Sequence, residues 1–532
     1  MSKVLQKITK YPFLFSFAIS SIFVAFNIFF VGMGFDTNDD ALMMHISAGS
    51  LSGKGSEYII YSHIYLGQLY VWLYRSFPGY NWYPIFLVVI HWVSLTATLF
   101  FCNVKIPAQG KTMVVFFLLC VETLLLQRLQ FTSTSLVAAF AGLQLCLMSM
   151  PEKNFTKLLF AFLLLLLSML IRWESFLLVV FIGFLPLMFA FLGSKWRLFL
   201  FSIFLFGLLI VCIRTKQIGD YSDRVGQTIL NSESDYALRR IMDFPTNISA
   251  AGLESINWSE NDFRLCKSWF WADSDFYTTE NIKKLSSVMR FDFTIENKVF
   301  TMLRFIKGNF AILGAFLLLL FLVIRKQDMI QVLPVVLPVL VVFTIFFEVE
   351  RIVPRVIIPI LLGVILLLAA DQRNLPFFKK FHFVVIGFLV GIQFFVNHSL
   401  NAINRHAYEK TFVILNKYPS NLILNKDSAM NLEGAPIWKD PRTYCLGNFL
   451  WVDVLRGYPT YNDVLKIRAI NNLMQAIWTR DDIFVLADQV DDIAVYAKEH
   501  HQVHLKIDLI EKDVNENVHL FQLRNSNYFQ QK

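Results

Sequence analysis

The feature that most constrains this chain is a repeated apolar run long enough to cross a lipid bilayer. Runs of about 17–23 residues lie near 11–32, 82–102, 112–127, 131–150, 156–171, 175–193, 197–213, 308–324, 330–347, 355–370 and 381–397. A hydrocarbon core of ~30 Å needs about 20 residues of helix but only 9–11 of strand. Inside lipid every backbone polar group must find its partner within the protein, and a helix does this without neighbours. The runs therefore predict a mainly α, polytopic helical membrane protein with about eleven transmembrane helices. Composition agrees: 56% of residues are hydrophobic and 17% charged, against about 25% charged in soluble domains. The first run reads as a retained helix, since it is too long for a signal-peptide core.

Charge predicts the orientation. Lys3, Lys7 and Lys10 precede the first run; Lys105 and Lys111 lie between the second and third. Lys153 and Lys157, then Lys195 and Arg197, then Arg325 and Lys326, then Arg373, Lys379 and Lys380 occupy alternate connections farther on. All of them fall on one side if the N-terminus is cytoplasmic, as the positive-inside rule requires. The net charge of +8 is thus a topology signal, and no nucleic-acid partner is expected. Residues 33–80, 214–307 and 398–532 then face away from the cytoplasm, and they carry most of the polar chemistry. The expected division is a transmembrane domain over 1–397 and an extracytoplasmic α/β domain over 398–532. In that domain 421–425, 483–488 and 503–510 read as strands, and 460–478 and 490–500 as helices. A GxxxxGK[ST] loop is absent and nucleotides are scarce outside the cytoplasm, so no nucleotide cofactor is expected. The six Cys form no CxxC pair and indicate neither a zinc site nor a disulfide framework.

The segment "FDTNDDALMMHISAG" (35–49) places Asp36, Asp39 and Asp40 directly after the first apolar run. A short helix is predicted over 38–50, and an interfacial amphipathic helix over 62–79, with Tyr65, Leu69, Trp72, Leu73 and Phe77 on one face. Thr37-x-x-Asp40 fits a capping box, but a cap has no use for Asp36 and Asp39. Carboxylates at a membrane boundary cost free energy unless they are paired or solvated. A task such as accepting a proton accounts for them better.

An acidic pair at the end of the first membrane helix, "DDALM" (39–43), followed by two juxtamembrane helices, resembles the GT-C superfamily of polytopic glycosyltransferases. The likeness extends to the cytoplasmic N-terminus, the many spans, the large outer loop and the outer C-terminal domain. The resemblance implies a polyprenyl-phosphate-linked sugar as donor, and a glycan or glycolipid of the cell envelope as acceptor, with the lipid bilayer as environment. It also implies a carboxylate of the first outer loop as general base. Asp39 is the first candidate, Asp40 the second, and Asp36 completes the cluster. A carboxylate in hydrogen-bond reach of an attacking hydroxyl can take its proton as charge develops.

A lipid-phosphate leaving group needs positive charge. Arg128 in "LQRLQ", Arg172 in "IRWES" with Glu174 beside it, and Arg351 and Arg355 in "EVERIVPR" all lie in turns on the face of Asp39. Each can fork onto phosphate oxygens; each can also snorkel to headgroups or pair with a neighbouring acid. In the second outer loop, "NWSENDFRLCKSWFWADSDFY" (257–277), Trp258, Glu260 and Asp262 are candidates for sugar binding. The alternative there is an interfacial helix with Trp at headgroup depth. No His cluster decides on a divalent cation, so metal dependence stays open. Two other functions fit the same sequence. A lipid-linked glycan polymerase or ligase would depend more on the arginines than on Asp39. A transporter or scaffold would not need the acids.

Overall fold

A computed structural model of the chain describes residues 11–152, 154–191, 206–207, 209–215, 246–291, 294–325, 329–349, 352–370, 379–426, 429–445, 447–452, 456, 458–515 and 517–526. The structure is mainly helical. Among the described residues, six helices are long and apolar enough to cross a membrane, and four shorter apolar helices accompany them.

The predicted runs become helices α1 (Pro12–Phe30), α4 (Trp82–Lys105), α5 (Ala108–Gln127), α6 (Phe131–Glu152), α7 (Phe155–Ile171), α8 (Trp173–Phe191), α12 (Ile295–Ile324), α13 (Met329–Glu348), α14 (Pro354–Ala370) and α15 (Lys380–Lys417). The run 197–213 lies mostly outside the described residues. Helix α6 is the hub of the bundle, packed on α4, α7, α8 and α14. Its small residues permit this: a Cβ on Gly142 would meet the Ala161 carbonyl at 2.9 Å. By contrast α1 exposes Ile22, Phe26, Phe29 and Phe30, as a helix facing lipid does.

Two short helices follow α1: α2 (Asn38–Ala48) and α3 (Ile64–Ser76). Buried Ile64, Leu66, Tyr70 and Tyr74 hold α3 to the protein, while Trp72 and Phe77 stay exposed. The aromatic face read from the sequence is therefore the outward one, suited to headgroup depth. Thr37 stands at the N-cap of α2, but the predicted capping box does not form. Its hydroxyl donates to Asp40 Oδ2 at 2.9 Å instead of accepting a backbone N–H.

Residues 246–291 form a small unit, closed by the antiparallel pair β3 (Thr246–Asn247) and β4 (Arg290–Phe291), with helices α9 (Ala250–Glu254), α10 (Glu260–Lys267) and α11 (Thr279–Val288) packed around Trp258, Cys266, Trp271 and Tyr277. The C-terminal region carries a five-stranded sheet, in the order β6 (Phe449–Trp451), β5 (Leu422–Asn425), β7 (Ile483–Ala487), β9 (Val518–Asn525), β8 (Leu505–Asn515). The first three strands are parallel, and β9 and β8 are antiparallel additions. The predicted helix 460–478 is two helices, α16 (Pro459–Ile467) and α17 (Leu473–Thr479), because Ala469 turns back at φ +52°. Helix α18 (Asp491–His501) completes the layer. The expected boundary at 397/398 falls inside α15, which continues without a break to Lys417. All six cysteines are free thiols.

Candidate functional site

One end of the bundle gathers the turns that carry the acids and arginines. The chain leaving α1 makes a two-residue parallel ladder, with β1 (Gly34–Phe35) against β2 (Arg128–Leu129). A Cβ at position 34 would lie 2.9 Å from Asn401 Oδ1, so any larger residue there would have to displace the Asn401 side chain. Asn401, on α15, donates to the carbonyls of Gly32 and Gln127 and ties the two turns together. The ladder's register brings Asp36 to Arg128, whose Nε donates to Asp36 Oδ1 at 2.8 Å.

Asp40 lies beneath this ladder with no exposed surface. Its Oδ1 accepts from the Tyr83 hydroxyl and from the Phe131 backbone N–H, both at 2.9 Å. Burial pushes its carboxyl up to about 8, against the opposing pull of these hydrogen bonds, and the nearby negative charge of Asp39 adds to the rise. Through these contacts Asp40 joins α2, α4 and α6. Asp39, one residue earlier, is half-buried at the surface of the same turn.

Arg172 arrives from the turn between α7 and α8. That turn is fixed by Ser62, whose hydroxyl donates to the Ile171 carbonyl, and by the His63 N–H, which donates to the Leu170 carbonyl. The guanidinium lies over the rings of Phe131 and Tyr61, 5.0 and 5.7 Å from their centres, and these rings stack on each other. Its Nη1 donates to Thr132 Oγ1 at 2.9 Å, and the exposed Glu174 lies 3.6 Å from Nε. Burial lowers the pKa of Arg172 from its ordinary value, yet a guanidinium remains charged. Asp39 and Arg355 both act on it through their charges. Arg355, near the start of α14, also acts on Glu433.

Glu433 had no sequence signal. It sits in a strap of the C-terminal region (429–445) that crosses this end of the bundle. Leu432 N–H donates to Asn38 Oδ1 at 2.7 Å, Asn404 donates to Glu433 Oε2 at 2.7 Å, and Arg128 Nη2 lies 3.5 Å from the same oxygen. Burial pushes the Glu433 carboxyl up to about 6, although Arg128 pulls the other way. Asp36 and Glu433 thus share Arg128, while Asp39, Arg172 and Arg355 form a second neighbourhood beside them.

The other predicted residues divide clearly. Arg351 lies outside the described residues. Trp258 is 3% exposed and packed against Phe276 and Tyr277, so its faces are covered and it has none to offer a sugar. Asp262 caps α10 through the Ser259 N–H and bonds His500 of α18 at 2.8 Å. Glu260 is an exposed acid in the first turn of the same helix. Asp262, Glu499 and His500 are the one group among the described residues with metal-ligand spacing, their ligand atoms lying within 4.8 Å of one another.

No protein-family model, curated protein or solved structure matches this chain.

Proposed function

We propose that the protein is a membrane glycosyltransferase of the GT-C kind, with eleven spans and a cytoplasmic N-terminus. It would transfer a sugar from a polyprenyl-phosphate carrier to an envelope glycan or glycolipid on the extracytoplasmic face. One observation carries the reading. A half-buried carboxylate, Asp39, shares a charge neighbourhood with Arg172 and Arg355, which arrive from two other turns at the same end of an apolar bundle. A carrier whose tail stays in the bilayer presents its phosphate at that depth. Cations and a base are needed together there.

In this reading Asp39 accepts the proton of the acceptor hydroxyl as its oxygen bonds to the anomeric carbon. The bond from that carbon to the carrier phosphate breaks, and the lipid phosphate leaves against Arg172 and Arg355. Arg172 is held ready by its two rings and by Thr132, so little ordering remains to be done on binding. Asp36 is engaged by Arg128, and Asp40 keeps the turn in place.

The test is release of polyprenyl phosphate by the purified protein across a panel of polyprenyl-phosphate sugars. Asp39→Asn keeps the size of the side chain but cannot take a proton. It should release at least about 100-fold less, the usual loss for a positioned acid–base group, with folding unchanged. Thr37→Ala, the control, should keep turnover. Equal release by the wild type and Asp39→Asn would remove Asp39 as base and leave the arginine-dependent polymerase or ligase as the better reading.

A further inference from the structure

The joint between the unit 246–291 and α18 brings two carboxylates and an imidazole together. Asp262 lies in the first turn of α10, and Glu499 and His500 are neighbours in the last turn of α18. One ligand atom from each of the three lies within 4.8 Å of the other two. Surrounding groups fix their orientation. The His500 ring packs on Phe276 and on Tyr496, each ring centre 4.5 Å away, and its Nε2 is held 2.8 Å from Asp262 Oδ1. Ser259 orients both carboxylates. Its backbone N–H donates to Asp262 Oδ2 at 2.7 Å, and its hydroxyl donates to Glu499 Oε2 at 2.9 Å. Metal sites carry such partners behind their ligands.

The charge at this joint is one-sided. Among the described residues neither carboxylate pairs with a lysine or arginine, and the only ion pair is that of Asp262 with His500. Asp262 has no exposed surface, so water does little to offset its charge. Glu499 stands at the C-terminal end of a helix, where the carbonyl groups already carry partial negative charge. Two carboxylates against one imidazole leave negative charge there with no fixed counterion. One divalent cation cancels both carboxylates and takes the imidazole as a neutral ligand.

We propose that Asp262, Glu499 and His500 bind one zinc ion, which staples the unit 246–291 to α18. The donors are one imidazole nitrogen and two carboxylate oxygens. Zinc accepts that mixture, whereas magnesium and calcium take oxygen ligands. The ion takes the place of the proton between Nε2 and Asp262 Oδ1, and the ring keeps a proton on Nδ1. Ligand atoms around tetrahedral zinc lie about 3.3 Å apart. The 2.8 Å pair therefore opens slightly, and the exposed Glu499 side chain swings in to complete the set. Three protein ligands leave the fourth position to solvent.

The experiment uses the purified full-length protein without an affinity tag, stripped of metal and titrated with zinc chloride against a chromophoric chelator at one neutral pH. The wild type should bind one equivalent, and an excess of magnesium or calcium should not displace it. Cobalt(II) in place of zinc should give the intense visible absorption of a four-coordinate ion. Glu499→Gln can still accept from Ser259 but supplies no carboxylate, and it should weaken binding by at least about tenfold. His500→Gln removes the imidazole and should abolish both tight binding and the cobalt absorption. Glu499→Gln, a change at an exposed side chain, decides the matter should His500→Gln fail to fold. Zinc should also slow protease cleavage within 246–291 in the wild type and not in Glu499→Gln. A wild type that binds no zinc, or one whose affinity Glu499→Gln leaves unchanged, would overturn the site. Bound zinc without slower cleavage would overturn the staple.

Discussion

Glu433 of the C-terminal region reaches Arg128 at the end of α5, with 3.5 Å between Oε2 and Nη2. Asp36 holds the same guanidinium from the other side. The C-terminal region is therefore built into the acidic turn, and its contribution there is titratable.

Burial raises the Glu433 carboxyl to about 6 from its ordinary 4.5. The folded protein then holds a proton that the unfolded chain has already released between these values. Stability accordingly falls as pH rises from about 4.5 through 6, by up to about 2 kcal/mol. Glu433→Gln removes this slope. Unfolding midpoints of the two proteins across pH 4.5–7 should converge at the acid end and separate at neutral pH, with the variant higher.

Asp40 distinguishes a structural acid from a catalytic one. Asp40→Asn can still accept from Tyr83 and Phe131, and its amide can donate to Thr37, so fold and turnover should persist. Asp40→Ala leaves buried donors without an acceptor and should cost about 2–4 kcal/mol. Because the folded carboxyl titrates near 8, wild-type stability should also decline from about pH 4 to pH 8. Asp40→Asn should be flat over that range when followed by thermal unfolding.

Arg172 lies on two stacked rings and donates to Thr132. Lysine supplies the charge but not the planar fork. Arg172→Lys should slow sugar release by about tenfold, and Arg172→Ala by more, with the loss showing mainly in kcat if the arginine meets the departing phosphate. Steady-state kinetics on both variants decide this. Equal losses confined to KM would mean that it only anchors the donor.

The unit 246–291 is fastened to α18 by two histidines, with His500 on Asp262 and His501 on Asp273 at 2.8 and 2.9 Å. The bond to Asp262 raises the pKa of His500 above its ordinary 6.5. A raised histidine contributes stability that is complete below about 6.5 and disappears as pH climbs through the folded value. Cleavage within 246–291 by a protease should thus quicken between pH 6 and pH 9. His500→Ala should be cut faster even at pH 6.

Much of this architecture was legible in the sequence, because a membrane span is a local property of composition. Most helix limits follow the apolar runs, α12 and α15 running well beyond theirs, and the turns of Arg128, Arg172 and Arg355 meet at the end that holds the acids, as expected. What was missed depends on contact between distant segments. Glu433 sits in "NLEGAP" with no periodicity, and only the packing of the strap on Asn38 and Asn404 gives it a place. Asp40 and Asp39 are chemically identical in the sequence, yet α2 turns one inward to Tyr83 and leaves the other at the surface. The continuation of α15 beyond its apolar part was a different failure. Asn401, Tyr408, Thr411 and Leu415 are buried at helical spacing, a pattern that hydropathy alone passes over.

That helix sets a mechanical condition. The C-terminal region follows directly on a helix that also runs through the bundle. A tether would absorb torque; a 38-residue helix transmits it. Any tilt of the domain that draws Glu433 from Arg128 must also tilt the part of α15 that packs on α5 and α12, deep in the apolar layer. Asn401, through the Gly32 and Gln127 carbonyls, fastens to the bundle the same helix that carries the C-terminal region.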